Sequence, residues 1–103
     1  MEHLYSPTDE RKLFNQVIHQ RSYLYIRVGH DYRELELTYD GLIAKGAARL
    51  ERNWHVSTVQ GTAVLRIGTG DECICELKSD GDGVLRGQWL RYEKMPIRLV
   101  PLR

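Results

Sequence analysis

After residue 20 the hydrophobic period of the chain changes from 3.6 to 2 and does not change back. That feature removes most architectures. A segment of period 2 is a strand, and strands joined by short turns lie antiparallel. Parallel neighbours need a long crossover, usually a helix, and no helical pattern recurs after residue 20. The pattern therefore predicts a mainly β fold: an up-and-down antiparallel meander of seven to eight short strands forming a small barrel, with one N-terminal α-helix. A two-sheet sandwich fits the same pattern. With 103 residues, 42% of them hydrophobic, residues 1–103 read as one domain able to bury its own core.

The helix is expected over about residues 7–20. Ser6 is placed to cap it, Pro7 suits the first helical position, and Asp9 lies in the first turn, where an acid is favoured. Leu13, Phe14, Val17 and Ile18 form its apolar stripe. In the first hairpin Leu24, Ile26 and Val28 alternate with Tyr23, Tyr25 and Arg27, and the aliphatic face is expected to be the buried one. A four-residue loop at 29–32 would pair Ile26 with Leu35, Leu24 with Leu37 and Arg27 with Glu34. Asp40-Gly41 reads as a two-residue type I′ turn that pairs Leu37 with Ala44 and Glu36 with Lys45. Further strands are expected at 50–56, 62–67, 72–78, 84–92 and 97–100, with turns at 57–61, 68–71 and 80–83. Pro96 and Pro101 suit strand ends or a sheet edge.

Several side chains could carry a function. Tyr23, Tyr25 and Arg27, with Thr38 and Ile43 alongside, would form an aromatic patch on the wet face of the first hairpin. It is either a stacking platform for a sugar ring or base, or a surface covered by the helix or by a second copy of the chain. Trp54 and Trp89 either fill the barrel or line a pocket mouth. Gly87, two residues before Trp89, marks a close approach of a neighbouring backbone or ring. Arg52, Arg66 and Arg86, with Gln88, are solvated if their faces point outward. Pointing inward, the guanidinium groups need a bound anion or polar ligand.

Other chemistry is poorly supported. Cys73 and Cys75 are expected on one strand face as free thiols, and C-x-C without a second ligand pair is no zinc site. The four histidines, His3, His19, His30 and His55, have no metal-ligand spacing. No nucleophile elbow or phosphate loop is present, so no catalytic residue is assigned, although Glu51, His55, Glu93 and Asp40 are possible acids or bases. A net charge of +1 without a basic block argues against nucleic acid. No apolar run approaches the length of a membrane span. Residues 1–7 lack the basic start and apolar core of a secretory leader, so the expected compartment is the cytoplasm.

Three stretches resemble a known class. They are Asp40-Gly41-Leu42-Ile43, Glu51-Arg52-Asn53-Trp54, and Asp82-Gly83 followed by Gly87-Gln88-Trp89. This order is similar to small all-β bacterial modules of lipocalin-like shape that accompany polysaccharide glycosyltransferases. The resemblance covers about residues 33–95 and leaves the N-terminal helix aside. It implies a glycan-related role and transfers no functional residues.

The expected function is a non-catalytic binding module for a carbohydrate or another small polar ligand, with Trp54, Trp89, Tyr23, Tyr25 and Arg52 as the binding residues and no cofactor. Stacking would supply affinity and arginine hydrogen bonds orientation. One alternative is a protein-interaction or homodimerising module, which would use the aromatic patch or a C-terminal edge strand. Another is an enzyme with an unrecognised site.

Overall fold

The structure, a computed structural model, describes residues 7–91 and 94–102. The Ser6 cap, His3, Glu93 and the Tyr92 end of the expected 84–92 strand lie outside the described residues. Helix α1 spans Pro7–Gln20 and is followed by eight strands: β1 (Ser22–Arg27), β2 (Asp31–Leu37), β3 (Ile43–Lys45), β4 (Asn53–Val59), β5 (Thr62–Thr69), β6 (Glu72–Ser79), β7 (Leu85–Trp89) and β8 (Met95–Pro101). All eight belong to one curled antiparallel sheet in the order β3-β2-β1-β8-β7-β6-β5-β4. One continuous sheet replaces the sandwich alternative. First and last strands pair from Tyr23↔Pro101 to Arg27↔Ile97. The two edge strands touch at a short seam, where Leu42 faces Asn53. There Ile43 N–H donates to the Arg52 carbonyl at 3.1 Å, and Trp54 N–H to the Gly41 carbonyl at 2.9 Å. Among the described residues no helix is long and apolar enough to cross a membrane.

The first hairpin has the opposite facing from the sequence expectation. Its loop is shorter, closed by His30 N–H to the Arg27 carbonyl at 2.8 Å with Gly29 at φ +85°. Tyr23 therefore faces Leu35, Tyr25 faces Arg33, and Arg27 faces Asp31, not Glu34. Tyr23 and Tyr25 are core residues, while Leu24 and Ile26 are half-buried on the outside. Both faces of this strand are apolar, so alternation alone does not choose between them. The larger rings win the interior, and the Tyr25 hydroxyl finds a buried partner there (below). The supposed wet aromatic patch is thus part of the core, with Ile43 in the same cluster.

Turn chemistry shifts as well. The type I′ geometry belongs to Gln60-Gly61, where both residues have positive φ (51° and 80°) and Val59 faces Thr62. The β-branched pair Thr58 and Val59, expected in a turn, extends β4 instead. At Asp40-Gly41 only the glycine has positive φ (87°). Gly41 N–H donates to the Thr38 carbonyl at 3.0 Å and Thr38 N–H to the Leu42 carbonyl at 2.9 Å, which makes a three-residue loop. The extra residue places Leu37 opposite Ile43 instead of Ala44, while Glu36 still faces Lys45.

Strand β8 is hydrogen-bonded on both sides, so it is not an edge, and its two prolines sit near its ends. In β6 the ladder jumps from Ile67↔Cys75 to Gly68↔Cys73, leaving Ile74 as a bulge residue. The bulge sends the two thiols to different surroundings: Cys75 is in the core, whereas Cys73 receives the Arg66 Nε–H at 3.2 Å. Both cysteines are free.

Helix α1 lies over one end of the barrel. Leu13 and Val17 enter the core, and Ser79 Oγ–H bonds Gln16 Oε1 at 3.2 Å. Gln20 Nε2 ties the helix end to the Ser22 and Leu102 carbonyls.

Candidate functional site

A concavity forms where the sheet fails to close. Strand β3 runs out at its turn, β4 continues, and α1 crosses nearby. Glu10, Arg11 and Phe14 of α1 make one wall and residues 39–41 the other, with Trp54, His55 and Val56 of β4 as the floor. The cleft measures about 590 Å³, within the usual range for small-molecule sites. Each side is held by specific bonds. Trp54 Nε1–H donates to the Thr38 carbonyl at 2.8 Å, fixing the turn to the floor. Phe14 stacks on Trp54 with ring centres 5.5 Å apart and planes 29° apart. Thr58 bonds the Glu10 carboxylate, and Thr38 bonds the Asp40 carboxylate. Because Trp54 N–H points to the seam, strand alternation turns the Val56 backbone groups the same way, where the turn offers no strand to meet them.

Tyr39 dominates the cleft chemically. The residue is 76% exposed, a large aromatic side chain left in water next to Asp40, with Glu10, Arg11 and His55 around the same space. Such a set can stack a ring and bond hydroxyls at its rim.

The five sequence-derived binding residues are not brought to one place. Trp54 lies under the cleft but is only 3% exposed, its face taken by Phe14. Tyr23 and Tyr25 are in the core. Trp89 is also buried, with the Arg27 guanidinium 5.9 Å from its ring centre. Arg52 is exposed, as are Arg86 and Gln88. Arg66 lies half-buried beside Glu76 at 3.5 Å. The arginine faces thus point outward. Both features that suggested a second copy, the aromatic patch and a C-terminal edge, are internal. The sequence reading missed Tyr39, Glu10, Arg11 and Phe14 as partners, because only the tertiary crossing of α1 over the seam assembles them.

A second polar cluster is buried. Glu51, 5% exposed, accepts from the Tyr25 hydroxyl at 2.5 Å and from Arg33 Nη2 at 2.5 Å. Cys75 Sγ lies 3.4 Å from both the Tyr25 oxygen and the Glu51 carboxylate. Arg33 also donates Nε–H to the Gly46 carbonyl at 2.7 Å and lies over the Tyr25 ring at 4.8 Å. Burial alone would raise the Glu51 pKa, but the Tyr25 hydroxyl and Arg33 guanidinium outweigh it and hold the carboxyl below its ordinary value. Burial pushes the Tyr25 phenol and the Cys75 thiol up. These groups satisfy one another and fasten residues 46–52 to the barrel, so we read the cluster as a structural lock.

The two thiols should differ in reactivity. Iodoacetamide is expected to modify half-buried Cys73 in the folded protein and to leave Cys75 untouched, giving one adduct by mass and two after denaturation. Two adducts without denaturant would contradict the burial of Cys75.

Among the described residues, no three His, Cys, Asp or Glu side chains gather as a metal-binding set. No protein-family model, curated protein or solved structure matches this chain.

Proposed function

We propose that the protein is a non-catalytic binding module that takes a carbohydrate or similar small polar ligand in the cleft between α1 and the turn at residues 39–41. The observation that carries the reading is the exposed Tyr39 ring set among Asp40, Glu10, Arg11 and His55 around one cavity. Sugar rings bury their C–H faces on aromatic rings and direct their hydroxyls to carboxylates and guanidinium groups, the groups gathered here. The similarity of its D-G, E-R-x-W and G-x-W stretches to modules found with polysaccharide glycosyltransferases points to the same ligand class.

The reading moves the site from the Tyr23–Tyr25 patch and a tryptophan-lined pocket mouth to the unclosed wall of the barrel. The test is a titration of the purified chain with mono- and oligosaccharides, followed by tryptophan emission and thermal melting together. At least one glycan is expected to shift both saturably, and Tyr39→Ala is expected to weaken it by roughly tenfold or more, the loss of one stacking contact. No response to any glycan, or binding indifferent to Tyr39→Ala, would overturn the proposal. Melting that rises with protein concentration would favour a self-associating module.

A further inference from the structure

The hollow at the unclosed wall does not end at Tyr39. Arg11, Phe14 and Ile18 recur along α1 at three- and four-residue steps, so they share one flank of the helix. Arg11 and Phe14 line the cleft over Trp54. Ile18, with Arg21 just beyond the helix, lines a second cavity of about 580 Å³ together with Leu42, Ile43 and Ala44. Tyr39 and Asp40 line both cavities. The two hollows therefore follow one another between the same helix flank and the same turn, with Tyr39 at their junction. From Arg11 to Ile18 the helix advances roughly 10 Å, at about 1.5 Å per residue, which is longer than one sugar ring.

The two sides of Tyr39 differ in chemistry. The first cavity carries Glu10, Arg11 and His55. The second is dominated by aliphatic side chains, and its Arg21 guanidinium is engaged by Glu36 at 2.8 Å. Leu42 is 53% exposed, so like Tyr39 it offers apolar surface that a ligand can cover. Aliphatic surface next to a polar hollow suits the C–H face of a second ring in a chain, and it gives nothing to a single ring held in the first cavity. Resting on the reading that the cleft takes a glycan, we infer that the site binds a chain of at least two sugar units laid along α1. One unit occupies the polar cavity, and the next crosses Tyr39 to lie on Ile18 and Leu42. Leu42 is thereby a residue that sets specificity for chain length.

The test is calorimetric titration of the full chain with glucose, mannose, galactose and N-acetylglucosamine, each as the free sugar, a disaccharide and a trisaccharide. In at least one series the longer members are expected to bind roughly tenfold or more tightly than the free sugar, the effect of one further well-covered contact. Leu42→Ala changes an exposed position, so the fold is kept. It is expected to weaken trisaccharide binding roughly fivefold or more and free-sugar binding by less than about twofold. Tyr39→Ala is expected to weaken every member of the series. The inference alone is overturned if free sugar and trisaccharide bind equally well while Tyr39→Ala still weakens them. It is also overturned alone if Leu42→Ala leaves trisaccharide binding unchanged or weakens the free sugar to the same degree. Absence of a saturable response in every series, or binding indifferent to Tyr39→Ala, overturns the cleft reading and the inference together.

Discussion

Replacing Gly87 with alanine is expected to cost about 3 kcal/mol or more of folding stability, at the upper end of what an overpacked core exacts. An added Cβ would stand 1.8 Å from the Glu76 carbonyl oxygen and 2.7 Å from the Leu77 Cα. Both are backbone atoms of the paired strand β6, so no side chain can rotate away. The β6–β7 ladder would have to slide or open, and with it the packing of Trp89 and Leu85 into the barrel. Gly70→Ala is the comparison. It forces a residue into the left-handed region (φ +58°), which Gly87 does not occupy, but nothing lies within 4 Å of the new atom, so its cost should stay near 1–2 kcal/mol. Urea unfolding of the two variants measures the difference. Equal losses would mean that the strands are not as close at Gly87 as described here.

Removal of the Glu51 carboxylate should be almost as damaging. Glu51→Ala leaves the Tyr25 hydroxyl and the Arg33 guanidinium facing a cavity. Breaking a buried pair costs about 3–5 kcal/mol, and the lower end applies because Arg33 retains some contact with water. The milder Glu51→Gln isolates the charge. The folded carboxyl titrates below its ordinary value of 4.5. Its contribution is therefore fully present above that pH and is lost as pH falls through the lower folded value. The stability difference between the native protein and Glu51→Gln should be flat at neutral pH and shrink as the pH falls below the ordinary value of 4.5. Chemical denaturation at a series of pH values would show this. A difference that persists unchanged into strong acid would place Glu51 outside the network.

Much of this architecture was legible in the sequence. The switch of period after residue 20 identifies the helix and the meander, and short turns dictate antiparallel neighbours. Facing was harder to read. In β1 aliphatic and aromatic residues alternate, so both faces qualify for burial, and the choice falls to a hydroxyl partner, Glu51, that lies 26 residues away. A signal for the polar lock did exist. Arg33 alternates with Leu35 and Leu37, and a lone cation on an apolar strand face demands a buried partner. Loop type was misread at Asp40-Gly41 because dipeptide preference cannot count the residues between strands, whereas Gln60-Gly61 adopts type I′ despite its less favoured first residue. The Ile74 bulge left no mark in a run of alternating residues. The cleft was the least legible feature, since it arises from a gap between β3 and β4 and a helix that crosses it, neither of which is encoded locally.

The central claim is that a ligand binds at the unclosed wall over Trp54 and not inside the filled barrel near Trp89. The most direct measurement is a tryptophan-emission titration, with the glycan that gives the strongest response, of two single-tryptophan proteins, Trp89→Phe and Trp54→Phe. The account predicts that emission from Trp54 alone responds saturably and that emission from Trp89 alone does not. A response confined to the protein that retains Trp89 would contradict it and return the site to the barrel interior.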